Sequence, residues 1–82
     1  MTYTDIKKEL LKNENINKVY INSSKKLITI EPIQNKDFYN IGEPLENYIF
    51  NDNDFLIGGK LFKIHDYEHF NTTIYYILLK EK

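Results

Sequence analysis

The segment Thr72-Thr73-Ile74-Tyr75-Tyr76-Ile77-Leu78-Leu79 decides the fold. It is β-branched, aromatic or aliphatic at both odd and even positions. A strand with one wet face alternates apolar and polar residues, and this one does not. Its composition predicts a central strand over 72–80, covered on two sides. Two shorter strands precede it, at 55–57 and 60–66. Gly58-Gly59 joins them. A two-residue turn needs positive φ, which glycine adopts without a Cβ clash. A polar turn around 69–71 separates the second strand from the third.

The first half supplies the partners for this C-terminal unit. Residues 18–22 and 26–31 alternate like strands, with Asn22-Ser23-Ser24-Lys25 as their turn. Val19, Ile21, Ile28 and Ile30 then point to the same side. Pro32 has no N–H to give a ladder and closes the second strand. A helix is predicted near 3–13. Thr2 and Asp5 have the spacing of a capping box, and Asp5 suits the positive end of the helix dipole. Tyr3, Ile6 and Leu10 recur at helical spacing, and Leu11 widens the stripe. Pro44 fits the first residue of a short helix over 44–50, where Leu45, Tyr48 and Ile49 have helical spacing; an extended edge segment is the other reading.

The element order is α-β-β-(short helix or loop)-β-β-β in one domain, 1–82. Strands gathered into hairpins with the helix kept apart define an α+β fold, an N-terminal helix packed on an antiparallel sheet of about five strands. A small half-open β-barrel with one helix is the alternative. One helix covers only one face of a sheet. The other face, assigned Tyr75, Ile77 and Leu79, then needs residues 33–50, sheet closure or a second subunit, so a homodimer is a live expectation.

Composition excludes more than it selects. The chain of 82 residues has no Cys, so neither a disulfide nor a thiolate metal site can form. No apolar run reaches the roughly 20 residues of a membrane span, and the N-terminus lacks a basic and apolar leader. A soluble, cytoplasmic protein of a bacterial host is expected. Arg is absent and the net charge is −1, which disfavours phosphate and guanine recognition. Val19 is the sole Val. The Ile-for-Val and Lys-for-Arg bias is that of an AT-rich coding sequence, as in low-GC bacteria and their phages.

Three motifs reduce to turn chemistry. His65-Asp66-Tyr67-Glu68-His69 has the H-x-x-E-H spacing of inverted zinc peptidases. That chemistry needs both His on one helical face and a third ligand, and here the pair falls at a strand end. Asn51-Asp52-Asn53-Asp54 is oxygen-rich, but counting from Asp52 puts Ile57 sixth and Lys63 twelfth, and counting from Asp54 puts Gly59 sixth but Leu56 and Gly58 where a calcium loop needs oxygen ligands. Asn22-Ser23-Ser24 and Asn71-Thr72-Thr73 fit a glycosylation pattern that means nothing without secretion. Gly58-Gly59 is no phosphate loop, and no nucleophile has a marked base. No enzyme, metal or cofactor is expected.

The remaining lead is the stretch 37–54. Between Lys36 and Lys60 there is no basic residue, yet there are five carboxylates. Asp37, Tyr39, Glu43, Glu46, Tyr48, Asp52 and Asp54 are the candidate partner-binding residues; the same stretch also carries Phe38 and Phe50. Aromatic rings are enriched at interface centres, and carboxylates steer toward a basic surface. The bland reading is that Phe38, Tyr48 and Phe50 are core and the acids keep a loop solvated. The expectation is a non-catalytic protein-binding module. Its sharpest form is a phage or mobile-element inhibitor of a host nucleic-acid-handling enzyme, of the anti-CRISPR or anti-restriction kind. One alternative is a single-stranded nucleic-acid-binding module using Tyr20, Tyr39, Tyr67 and Tyr75 with Lys25, Lys26, Lys60 and Lys63. A small phage structural protein is another.

Overall fold

The computed structural model describes residues 2–71 and 73–82. Met1 and Thr72, the latter the first residue of the predicted last strand, lie outside the described residues.

Helix α1 spans Tyr3–Leu11. Its capping box forms as the spacing predicts. The Thr2 hydroxyl accepts from the Asp5 N–H at 3.2 Å, and the Asp5 carboxylate accepts from the Thr2 N–H at 3.1 Å. The Thr2 N–H, and the Thr2 hydroxyl that donates to the same carboxylate at 3.0 Å, hold the Asp5 carboxyl below its ordinary pKa. The helix stops short of residue 13. The Asn13 side chain accepts from the Asn15 N–H at 2.9 Å, a local turn that competes with another helical bond.

Five strands follow: β1 (Ile16–Asn22), β2 (Leu27–Pro32), β3 (Asp54–Ile57), β4 (Lys60–Phe70) and β5 (Thr73–Glu81). They form one antiparallel sheet in the order β1-β2-β5-β4-β3. The fold is α+β, and β5 is central, as its composition requires. The sheet is open, with β1 and β3 as its edges, so the barrel alternative does not form. Gly58 and Gly59 take φ 60° and 80° between the paired residues Ile57 and Lys60. β4 runs further than predicted, to Phe70, which pairs with Thr73. Asn71 turns the chain there with φ 54°, a conformation asparagine tolerates.

Two bulges set which side chains face inward. His65 is the extra residue in β4 and Tyr75 the extra residue in β5. Each reverses the side on which the following residues fall. The Tyr75 bulge puts Ile74 on the same face as Ile77 and Leu79. The Tyr residue that sequence alternation assigned beside them is displaced.

The core lies on one face only. Ile6 and Leu10 of α1, Ile28 and Ile30 of β2, Phe62 of β4, and Ile77 and Leu79 of β5 are all fully buried. Phe38 and Leu45, from the connection between β2 and β3, join the same cluster. The Asn13 amide donates to the Pro44 carbonyl at 3.2 Å, tying that connection to the end of the helix. Helix and connection therefore share a face.

This corrects two expectations. β5 is not covered on two sides: Tyr76 and Leu78 face away from the helix and stay half-exposed. Ile77 and Leu79 are not on the second face; they sit under α1. The unbroken apolar run resembled a doubly buried strand because the outward residues of β5 are apolar too.

Replacing Leu79 with Ala should destabilise the fold by about 2–5 kcal/mol, the cost of a buried cavity. Leu78→Ala, one residue away, should cost less than half as much in the same urea titration. Equal losses would mean that both faces are buried.

Candidate functional site

The chain leaves β2 at one side of β5 and re-enters the sheet at β3, beyond β4. Residues 33–53 therefore cross the helix-side face. Gln34 anchors the start, its amide donating to the Pro32 carbonyl at 2.9 Å and the Ile74 carbonyl at 3.2 Å. Phe38 plugs into the core. Around it the backbone curls: the Asn40 side chain accepts from the Gly42 N–H at 3.0 Å, and Glu43 accepts from the Tyr39 N–H. A 3₁₀ turn, Glu43–Tyr48, buries Pro44 and Leu45. The short helix predicted over 44–50 is thus present but tighter and earlier.

The seven candidate residues separate by what they touch. Asp37, Glu46 and Asp52 are exposed, and Tyr39 is 80% exposed. Glu43 is half-buried and spends its carboxylate on the Tyr39 and Asn40 nitrogens. Tyr48 is half-buried and packs on the core; burial raises its pKa, against a hydrogen bond with Asn13. Asp54 is 7% exposed and accepts from the Asn51 amide at 2.9 Å and the Lys82 ammonium at 3.0 Å. Those two donors, Asn51 first, hold its carboxyl below the ordinary value. Tyr48 and Asp54 anchor the segment, and the others face outward.

Two residues outside the candidate set join them. Ile49 is 54% and Phe50 57% exposed. Leu45, Tyr48 and Ile49 have the spacing of one helical stripe, which predicts burial for all three. The 3₁₀ turn ends at Tyr48, and Ile49 is extended at φ −63° and ψ 121°. That change of backbone swings Ile49 and Phe50 outward. No local sequence signal marks it.

The loop 38–42 separates two clefts. One, of about 210 Å³, is lined by Phe38, Tyr39, Ile41, Tyr67 and His69, with Tyr67 and His69 stacked at 5.7 Å. The other, of about 520 Å³, runs past Ile41, Ile49, Asp52 and Ile64. Tyr20 and Tyr75 instead line a groove on the helix-free face. The four tyrosines of the stacking platform thus divide between two faces.

The H-x-x-E-H residues scatter along β4. His65 is the bulge residue, while Glu68 and His69 alternate onto opposite faces beyond it. Among the described residues no three His, Asp or Glu side chains come together as a metal site. In Asn51–Asp54, the Asn51 oxygen accepts from the Asn53 and Asp54 N–H groups, both at 2.9 Å, so it closes a turn. No described helix is long and apolar enough to cross a membrane. Comparison with protein-family models, curated proteins and solved structures finds no match to this chain.

Asp54 gives the site a pH signature. Its folded-state pKa lies below the ordinary 3.8, so its contribution is present above that pH and lost as pH falls through the folded value. Asp54→Asn should flatten the acid limb of the stability curve below about pH 4. An unchanged acid limb in that variant would dissociate Asp54 from Lys82.

Proposed function

We propose that this chain is a non-catalytic protein-binding module that docks its 37–52 surface on a basic partner protein. One observation carries the reading. Tyr39, Ile49 and Phe50 are all more than half exposed on a single crossing segment, among the exposed carboxylates of Asp37, Glu46 and Asp52. Loops usually present polar tips; large apolar groups held outward on a braced loop are the composition of an interface centre. The surrounding acids would speed encounter with a positive surface and exclude negative ones.

The sharpest form of this reading is an inhibitor, encoded by a phage or mobile element, of a bacterial host's nucleic-acid-handling defence enzyme. Carboxylates spaced along a narrow segment would stand in for phosphates in that enzyme's basic groove. Small size, AT-type composition and the absence of Arg accord with it. Glu43, Tyr48 and Asp54 would hold the segment's shape, and Tyr39, Ile49 and Phe50 would supply the contact.

Calorimetric titration against a panel of bacterial nucleases and other basic-channel proteins tests the reading. A complex should form with at least one, weakening as salt rises. Tyr39→Ala and Phe50→Ala should each weaken it about tenfold or more. Replacing Asp37, Glu46 or Asp52 with Lys should mainly slow association. No complex with any panel member at low salt rejects it. A steeply salt-dependent gel shift with single strands would favour the nucleic-acid alternative instead.

A further inference from the structure

Tyr67 and His69 belong to the H-x-x-E-H stretch, and the 37–52 surface leaves them without a role. Their register partners in β5 are Ile77 and Ile74, so both stand on the helix-side face of the sheet. The covering layer does not reach over them, and both are exposed. Together with Tyr39 they line the cleft of about 210 Å³, over the buried side chains of Phe38 and Ile74.

Size limits what this cleft can hold. A cavity of about 150 Å³ admits one benzene ring, and sites for whole small-molecule ligands begin near about 300 Å³. A cleft between the two takes a single planar side chain and excludes a nucleotide. Chemistry narrows the choice. The Tyr67 and His69 rings lie in nearly parallel planes, 14° apart. The Asn71 carbonyl can only accept, so His69 Nδ1, 3.1 Å from it, carries the proton. In the neutral imidazole Nε2 is then a free acceptor. Among the described residues no Lys, Asp or Glu lines the cleft. The carboxylates of its surroundings belong to the Tyr39 loop: Asp37 is exposed beside Phe38, and Glu43 accepts from the Tyr39 N–H. Lys36, the nearest cation in that stretch, turns its ammonium to the Asn15 side chain at 2.7 Å.

We propose that this cleft receives the guanidinium of one arginine from the basic protein that docks on 37–52. The inference rests on that docking reading and adds the side chain that the partner must carry. A guanidinium is planar, weakly hydrated and stacks on aromatic faces, whereas a lysine ammonium is a compact, strongly hydrated point charge. Its N–H groups suit the His69 Nε2 acceptor, its plane suits the Tyr67 and His69 rings, and its charge suits the Asp37 and Glu43 carboxylates. A neutral aromatic ring would gain the apolar floor and nothing from the carboxylates. The chain contains no Arg, so a second copy cannot supply the group.

Aromatic NMR of the full chain, titrated with N-acetyl-arginine amide, tests the site without the partner protein. The Tyr39, Tyr67 and His69 ring signals should shift and saturate at millimolar probe. N-acetyl-lysine amide and N-acetyl-tyrosine amide should bind more weakly. Tyr67→Ala should weaken the arginine probe about three- to tenfold, and Tyr67→Phe should keep its affinity. Should Tyr67→Ala fail to fold, Tyr39→Ala gives the same readout at a position that is 80% exposed. Shifts that never saturate, or equal affinity for the lysine probe, overturn the proposal. So does preference for the tyrosine probe, which would make the occupant a neutral ring, or tighter binding of free arginine than of the blocked probe, which would make it an amino-acid site. Probe binding with no protein complex anywhere in the nuclease panel would reject the docking reading and keep the guanidinium site. A protein complex that withstands Tyr67→Ala, with no probe binding, would reject the site alone.

Discussion

Everything in this structure depends on a sheet whose covering layer lies on one side. Ile28, Ile30, Phe62, Ile77 and Leu79 form an apolar floor, and α1 and the 33–53 connection lie on it together. Each fully buried aliphatic or aromatic side chain removes surface from water worth about 1.5–3 kcal/mol. In a chain of 82 residues a single core must supply most of the stability, so helix and connection cannot be spent on separate faces. The connection's path follows. To reach β3 from β2 it must pass β5 and β4, and Phe38 and Leu45 nail it down on the way.

The C-terminus locks this layer in place. The Tyr3 hydroxyl donates to the Glu81 carboxylate, joining the start of α1 to the end of the central strand. Burial, with the neighbouring Glu81 charge, pushes the Tyr3 pKa up to about 12. The tyrosine thus keeps its proton, and the bond its strength, until pH rises well beyond 10. Lys82 reaches the other way, to Asp54 at the start of β3. Two adjacent residues therefore brace both ends of the layer that presents the 37–52 surface.

Much of this was legible. Thr2 and Asp5 announced the helix start, Gly58-Gly59 the β3–β4 turn, and the β-branched run the central strand. Three things were hidden. The run's outward residues, Tyr76 and Leu78, are apolar, so composition alone could not reveal an open face. The bulges at His65 and Tyr75 reverse side-chain parity without a composition signal, which misplaced Ile77 and Leu79. In the 37–54 stretch the charges were visible, but solvent exposure was not. Whether Tyr48 or Phe50 turns inward depends on where a 3₁₀ turn ends, and that is set by the packing of Leu45 beneath it.

The one-sided layer is also what gives the chain surfaces to use. It holds 37–52 in a fixed shape while leaving the opposite face of the sheet bare. Because the chain lacks Cys, single-cysteine labelling reads that asymmetry without background. Leu78→Cys and Leu79→Cys variants would be exposed to a thiol reagent in dilute native solution. The first should label promptly, and the second only at the rate of unfolding. Equal protection at both positions in a monomer would place a second covering layer on the sheet and contradict the account.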